Sequence, residues 1–278
     1  MRKGLQFLLI LSLVVTLIAG CGGSSSQPTQ QSGKEGTTST ATKDTIIIAL
    51  QGEPSTLDPQ FADDGNMRAV TDNVFERLLE LDGKTLEPIN GLATDIKSID
   101  DVTWQLTLRE GVKFHNGDPF TAEDAVFSIK RVTDPAYKSQ IAGNFNTIKD
   151  AKVIDDKTIQ IVTDGPDPIL PKRLTRLDIV DKKYIESNPD KVATEPIGTG
   201  PYKVTKWNRG VDITIERNED YWGNKPQIKG ATYRFIQESS TRLSALKAGE
   251  IDLAVNMLPE YVSELPAYKT SDGIEFTF

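Results

Sequence analysis

The 278-residue chain is poor in the side chains on which most site chemistry depends, with one Cys, one His and three Trp. A single Cys excludes an intramolecular disulfide framework. Together with a single His it leaves too few soft ligands for a zinc site. A His-assisted nucleophile could draw only on His115. Positive charge is also short, with 32 Lys and Arg against 40 Asp and Glu and a formal net charge of −8. This argues against nucleic acid as a partner, whose affinity would come mostly from Lys and Arg neutralising phosphates. Long apolar runs are absent apart from Phe7 to Ala19. What the chain does have is enough length for one or two domains with a real hydrophobic core.

The apolar run follows Arg2 and Lys3 and is broken only by Ser12 and Thr16. Its 13 residues suit a secretory signal and fall short of the roughly 20 that span a bilayer. It ends in Ile18-Ala19-Gly20-Cys21, which resembles the bacterial lipobox. Residues 1–20 are therefore expected to be a lipoprotein signal peptide and Cys21 the lipidated residue. An ordinary membrane anchor, or a cleaved signal with a chance Cys, is the alternative. Gly, Ser, Thr and Gln fill 17 of the 22 positions from 22 to 43, with no large apolar side chain among them. Residues 21–43 thus read as a lipidated Cys on a flexible tether with a reach of roughly 25 Å. Setting aside Arg2, Lys3, Lys34, Lys43 and Glu35, residues 44–278 hold 28 basic and 39 acidic side chains, a net of −11. Such a body is not held to anionic lipid by charge, so the acyl chains on Cys21 would make the contact with the bilayer.

In the body, Thr45 to Leu50 reads as a strand whose consecutive Ile46, Ile47 and Ile48 suggest burial on both faces. A turn-rich loop with two prolines follows, and Met67, Val70, Val74, Phe75 and Leu78 then predict a helix over 65–80. Trp104, Leu106 and Leu108 alternate with polar residues as a half-buried strand does. Thr121 and Asp124 have the spacing of a capping box before a helix with Ala122, Ala125, Val126 and Ile129 on one stripe. Lys152 to Thr163 reads as a hairpin around Asp155-Asp156-Lys157, and Tyr202 to Arg217 as another, with Val211, Ile213 and Ile215 on its buried face. A strand over 231–237, a helix from Ser240 to Ala248 stopped by Gly249, and a buried strand from Ile251 to Val255 follow. Gly273 to Phe278 alternates as a last strand.

Four segments together resemble one family, the extracellular solute-binding proteins of peptide and nickel ABC transporters, family 5. They are Glu53-Pro54-Ser55-Thr56-Leu57-Asp58-Pro59; Trp104 through Gly111-Val112-Lys113-Phe114-His115-Asn116-Gly117-Asp118-Pro119-Phe120-Thr121-Ala122-Glu123-Asp124; Gly198-Thr199-Gly200-Pro201-Tyr202; and Arg217-Asn218 with Tyr221-Trp222, Arg242, Ala245-Leu246 and Gly249-Glu250-Ile251-Asp252. The resemblance implies a mixed α/β, α+β fold: a periplasmic-binding-protein-like class II clamp with an inserted small α+β domain. Lobe I would be discontinuous, residues 44–78 plus 185–275, and the insertion would occupy 79–184. Residues 276–278 would begin a second lobe that is largely missing, since family members are commonly nearly twice as long. The chain accordingly reads as the N-terminal part of a receptor.

The chemical candidates divide between backbone roles and binding. His115 has no nucleophile or second His beside it, and the family motif places it in a turn. The pairs Asp63-Asp64, Asp100-Asp101 and Asp155-Asp156 could be imagined as glycosidase acids, but each lies in a turn context where Asp bonds local backbone. Gly198-Thr199-Gly200 is only a fragment of a dinucleotide fingerprint, and a Pro follows where a helix should open. Tyr221-Trp222 could stack on a ligand or pack against the lobe. The favoured ligand-binding residues are those of two loops that end buried strands: Gln51, Gly52, Glu53, Pro54, Ser55, Thr56 and Leu57, and Asn256, Met257 and Leu258. Family members hold peptides largely through main-chain groups, and loop backbone offers both donors and acceptors. The resemblance implies a monomeric, non-enzymatic receptor without metal or cofactor, capturing extracellular peptides and delivering them to the transmembrane subunits of an ABC permease. The alternatives are a surface lipoprotein hydrolase acting on cell-wall or sugar polymers, and a nickel-binding, sugar-binding or sensory member of the family.

Overall fold

A computed structural model describes residues 43–264 together with 268–269 and 275–276. The signal peptide, Cys21 and the tether lie outside the described residues, as does most of the expected strand over 273–278. The elements in chain order are β1 (Thr45–Leu50), α1 (Gly65–Thr71), β2 (Leu79–Leu81), β3 (Pro88–Asn90), β4 (Ala93–Ser98), β5 (Thr103–Leu108) and α2 (Ala122–Thr133). There follow β6 (Ile148–Asp155), β7 (Thr158–Thr163), α3 (Leu170–Leu174), α4 (Lys182–Ser187), β8 (Tyr202–Asn208), β9 (Asp212–Arg217), β10 (Gly230–Phe235), α5 (Ser239–Lys247) and β11 (Leu253–Ala254). The short strands β12 (Tyr268–Lys269) and β13 (Glu275–Phe276) pair antiparallel. The fold is mixed α/β.

A five-stranded sheet has the order β11-β1-β10-β9-β8. Its first three strands are parallel and the β8–β9 hairpin joins antiparallel through β10. Each face has its own core. Ile46 and Ile48 pack with Leu50, Leu57, Val70, Ile213, Ile215 and Tyr233 under α1, while Ile47 and Ala49 pack with Ala245 and Ile251 under α5. The isoleucine run of β1 is therefore two-sided, as its lack of alternation implies. A four-stranded antiparallel sheet, β4-β5-β7-β6, carries α2 on one face over a larger core that includes Leu106, Ile129, Phe145, Ile159 and Ile161. The Thr121–Asp124 capping box forms as expected, each residue's side chain satisfying the other's backbone N–H.

Three elements depart from the sequence pattern. The helix expected over 65–80 ends at Thr71, although Val74, Phe75 and Leu78 are all buried. Beyond it the carbonyls of Asn73 and Val74 turn away from the helix axis to accept from Tyr202 N at 3.0 Å and Gly200 N at 2.9 Å. Tertiary partners thus take the groups that a further helical turn would have used. The strand expected from Ile251 shortens to two residues because the Asp252 carboxylate, not a ladder carbonyl, accepts from Ile47 N at 2.7 Å. Val211 lies before β9 and is 58% exposed, while Ile213 and Ile215 are buried as expected.

The Gly198–Gly200 turn packs directly on residue 74. A Cβ on Gly198 would lie 2.0 Å from Val74 O, and one on Gly200 2.7 Å from the same atom. The glycines are there for close backbone approach.

Candidate functional site

Because β1, β10 and β11 are parallel, their C-terminal ends open on one edge of the sheet, where ligands commonly bind in α/β folds. The two loops expected to bind leave neighbouring strands there, since Ile48 pairs with Leu253 and Ala49 with Ala254. Within the first loop, most side chains are already engaged. The Glu53 carboxylate accepts from Trp207 Nε1 at 2.8 Å, Gly210 N at 3.1 Å and Arg209 Nη1 at 3.4 Å, holding the tip of the β8–β9 hairpin. Pro54 is buried, Thr56 Oγ1 accepts from Asp58 N, and buried Leu57 donates its N–H to Ala193 O at 2.8 Å. Gln51 and Ser55 are exposed and Gly52 is half-buried. In the second loop, Asn256 and Leu258 are exposed and Met257 is half-buried. Asn256 adopts φ +52°, and Leu258 N donates to Ser239 Oγ at 3.3 Å. The edge thus presents Gln51, Ser55, Asn256 and Leu258 to solvent, on loops stiffened from behind.

Much of that stiffening comes from residues that sequence reasoning did not single out. Asp58 is 4% exposed and takes a bidentate contact from Arg131 on α2, at 3.0 and 2.5 Å, plus the Tyr137 hydroxyl at 2.8 Å. The Arg131 guanidinium also stacks 3.9 Å from the Tyr137 ring centroid and donates to Gln60 Oε1. On the other side, Arg242 of α5 holds the carbonyls of Ile236, Gln237 and Asn256. Asp58 and Arg242 both lie in motif segments, but their partners are remote in sequence and no local pattern names them.

The remaining candidates serve the scaffold. Tyr221 and Trp222 both donate to the Glu76 carboxylate at 2.7 Å, and Arg109 lies 4.4 Å from the centroid of the Trp222 ring. Burial raises the Glu76 pKa above the ordinary carboxylate value, and the bonds from Trp222 and Tyr221 oppose that shift. His115 Nε2 lies 2.9 Å from Gly200 O, and Gly198 N donates to His115 Nδ1 at 3.3 Å. An N–H facing Nδ1 requires that nitrogen to be unprotonated, so the ring is neutral with its proton on Nε2. Burial pushes its pKa down to about 4.

Each acid pair serves a cap, a turn or a surface ion pair. Asp64 caps α1, Asp63 contacts Arg68 and Arg176, Asp100 accepts from Val102 N, and Asp155 from Lys157 N. No group of three or more His, Cys, Asp or Glu able to hold a metal occurs among the described residues. A cavity of about 440 Å³ lies at the opposite end of the parallel strands, beside Thr45, Glu216 and Lys229. Both cations that line it are already paired, Lys229 with Asp44 and Arg217 with Glu219. A second cavity, of about 260 Å³, is an apolar gap between α1 and the sheet, beside Ile46, Ile48 and Tyr233. The first lies away from the strand-end loops, whereas the second reaches Leu253 and Val255, just before Asn256.

Residues 87–276 match the bacterial extracellular solute-binding proteins, family 5 Middle. The oligopeptide-binding protein OppA of Bacillus subtilis is 30% identical over 98% of this chain and 53% of its own length. The ABC transporter-associated periplasmic binding protein DppA from Helicobacter pylori, solved in complex with peptide STSA, superposes with a TM-score of 0.73 at 31% identity. The match covers 80% of this chain and 48% of that one. NikZ from Campylobacter jejuni, in complex with Ni(L-His), gives a TM-score of 0.74 at 29% identity over 80% of this chain and 45% of its own. The chain spans about half the length of the curated relatives it matches. It belongs to the bacterial extracellular solute-binding proteins of family 5, which bind solutes and are not enzymes.

Proposed function

We propose that this chain supplies one face of a peptide-capturing cleft in the receptor of an ABC importer, held at the outer side of the cytoplasmic membrane by lipid on Cys21. The observation that carries the reading is the pair of loops at the ends of β1 and β11, adjacent and open on one sheet edge in a family 5 chain. Peptide is favoured as the solute because the similar proteins include one named for oligopeptides and one solved with a tetrapeptide. Exposed loop backbone suits an extended ligand whose side chains vary. Residues 44–78 and 185–275 act as the first lobe and 79–184 as an inserted domain. A second lobe closes over the solute, and the closed form is what the permease recognises. Calorimetry of the full-length protein against a mixed panel of di- to pentapeptides tests the reading, with saturable micromolar or tighter binding expected. A heat-flat response to every peptide would overturn it.

NikZ supports a second reading, a nickel chelate in which the metal arrives already bound by its carrier. Adding Ni(L-His) to the panel separates the two. The anchor rests on Ile18-Ala19-Gly20-Cys21. Replacing Cys21 with Ser is expected to release the protein from the membrane fraction and abolish incorporation of labelled palmitate. Retention and labelling in that variant would refute lipidation at Cys21.

A further inference from the structure

Arg242 lies in α5 and is 2% exposed. Its Nη1 donates to Ile236 O and to Gln237 O, each at 2.7 Å, and its Nη2 to Asn256 O at 2.8 Å. Ile236 and Gln237 follow β10, Asn256 follows β11, and these strands flank β1 on its two sides. One guanidinium therefore joins the two chain segments that emerge on either side of the end of β1. Among the described residues no carboxylate pairs with it, and its Nε has no partner. Removing a cation from water to meet carbonyls alone is costly, so this is an expensive way to fill space. What the side chain does provide is a planar fork that reaches three acceptors at once, which an ammonium on a flexible stem does not reproduce. Ser239, at the start of the same helix, adds a second tie through its bond from Leu258 N. At the first of these ties Asn256 sits at φ +52°, a left-handed conformation disfavoured for residues other than Gly and least so for Asn.

We propose that Arg242 is a positioning residue for solute capture, locking the Asn256–Leu258 loop to the segment after β10 so that the binding edge is formed before the solute arrives. This rests on the reading of that edge as the binding site. A loop ordered in advance spares the binding step the entropy of ordering it. Arg242 is too buried to touch the solute, so its effect is expected through the loop.

The test uses the full-length protein with Arg242→Lys and Arg242→Gln. Arg173→Gln is the control: that guanidinium bonds Asn144 O and pairs with Asp167, away from the edge. Hydrogen exchange is measured on the free proteins, and calorimetry uses the tetrapeptide Ser-Thr-Ser-Ala and Ni(L-His) as probes. Both Arg242 variants should exchange at least tenfold faster at 236–238 and 255–258 and bind the accepted probe at least tenfold more weakly. Arg173→Gln should lower the melting temperature and do neither. Unchanged exchange in both loops, faster exchange with unchanged affinity, or the same affinity loss in Arg173→Gln would each overturn the proposal. If Arg242→Gln fails to fold, Arg242→Lys decides. If the wild type bound neither these probes nor any peptide of the panel, the capture reading and the role of Arg242 in it would fall, while exchange would separately decide whether Arg242 holds the loop; if it bound another member of the panel, that peptide replaces the probes.

Discussion

His115 shows how a single side chain can couple two distant segments through its protonation state. Its Nδ1 faces the Gly198 N–H and its Nε2 the Gly200 carbonyl, so a second proton would set donor against donor. The folded value of about 4 lies below the unfolded value of about 6.5, chiefly through burial; the Gly200 bond opposes that shift and the Lys203 charge adds to it. Between these values the unfolded chain binds more protons. The stabilisation is therefore whole above pH 6.5 and lost as pH falls through 4. Urea titrations at pH 7 and 4.5 should show a steeper loss for wild type than for His115→Gln, by on the order of 1–2 kcal/mol for a half-buried ring. Parallel losses would exonerate His115. Gly198 makes the steric counterpart. A methyl there meets Val74 O at 2.0 Å, so Gly198→Ala should cost about 3 kcal/mol or more, whereas Gly143→Ala, with nothing within 4 Å, should stay within about 0.5 kcal/mol. Thermal melts of the two variants check the contrast.

Among elements, the loop after β1 and α2 are joined by the Asp58–Arg131 pair, whose side chains are 6% and 10% exposed. Removing one partner leaves the other charge buried, so Arg131→Met should destabilise by about 3–5 kcal/mol. Adding Asp58→Asn should recover part of that loss, and a double-mutant cycle by chemical denaturation measures the coupling. If Arg131→Met were neutral, the pair would not be what holds this loop to α2. Elements whose local chemistry is self-sufficient were legible in the sequence. Thr121 and Asp124 satisfy each other's backbone, and the alternation of β5 and β9 marks the faces that are buried. The end of α1 was not legible, because Val74, Phe75 and Leu78 are buried at helical spacing on a segment that is no longer helical. What ends the helix is a pair of hydrogen bonds from residues about 125 positions away.

At the scale of the molecule, the described sheet edge offers contacts on one side only. If solute is held between two lobes, residues 44–278 alone should bind at least a hundredfold more weakly than the full-length protein, a difference of about 2.7 kcal/mol. Equal affinities in a side-by-side calorimetric titration would show that the second lobe contributes little. The sequence by itself determined the mixed α/β character, the two-sided burial of β1, the capped helix and, through four ordered motifs, the family. It also pointed to both loops of the candidate edge, because turn-forming residues after an apolar run mark where a strand must end. Only the tertiary structure decided which residues of those loops remain free. Glu53 and Leu57 lie in the same motif as Ser55, yet one holds a hairpin and the other fills the core while Ser55 faces solvent. Arg242 and Asp58 became recognisable only when parallel pairing and the packing of α2 brought their partners to them. Periodicity records which face of an element is apolar, whereas a buried hydrogen bond depends on the meeting of two segments whose separation along the chain carries no signal.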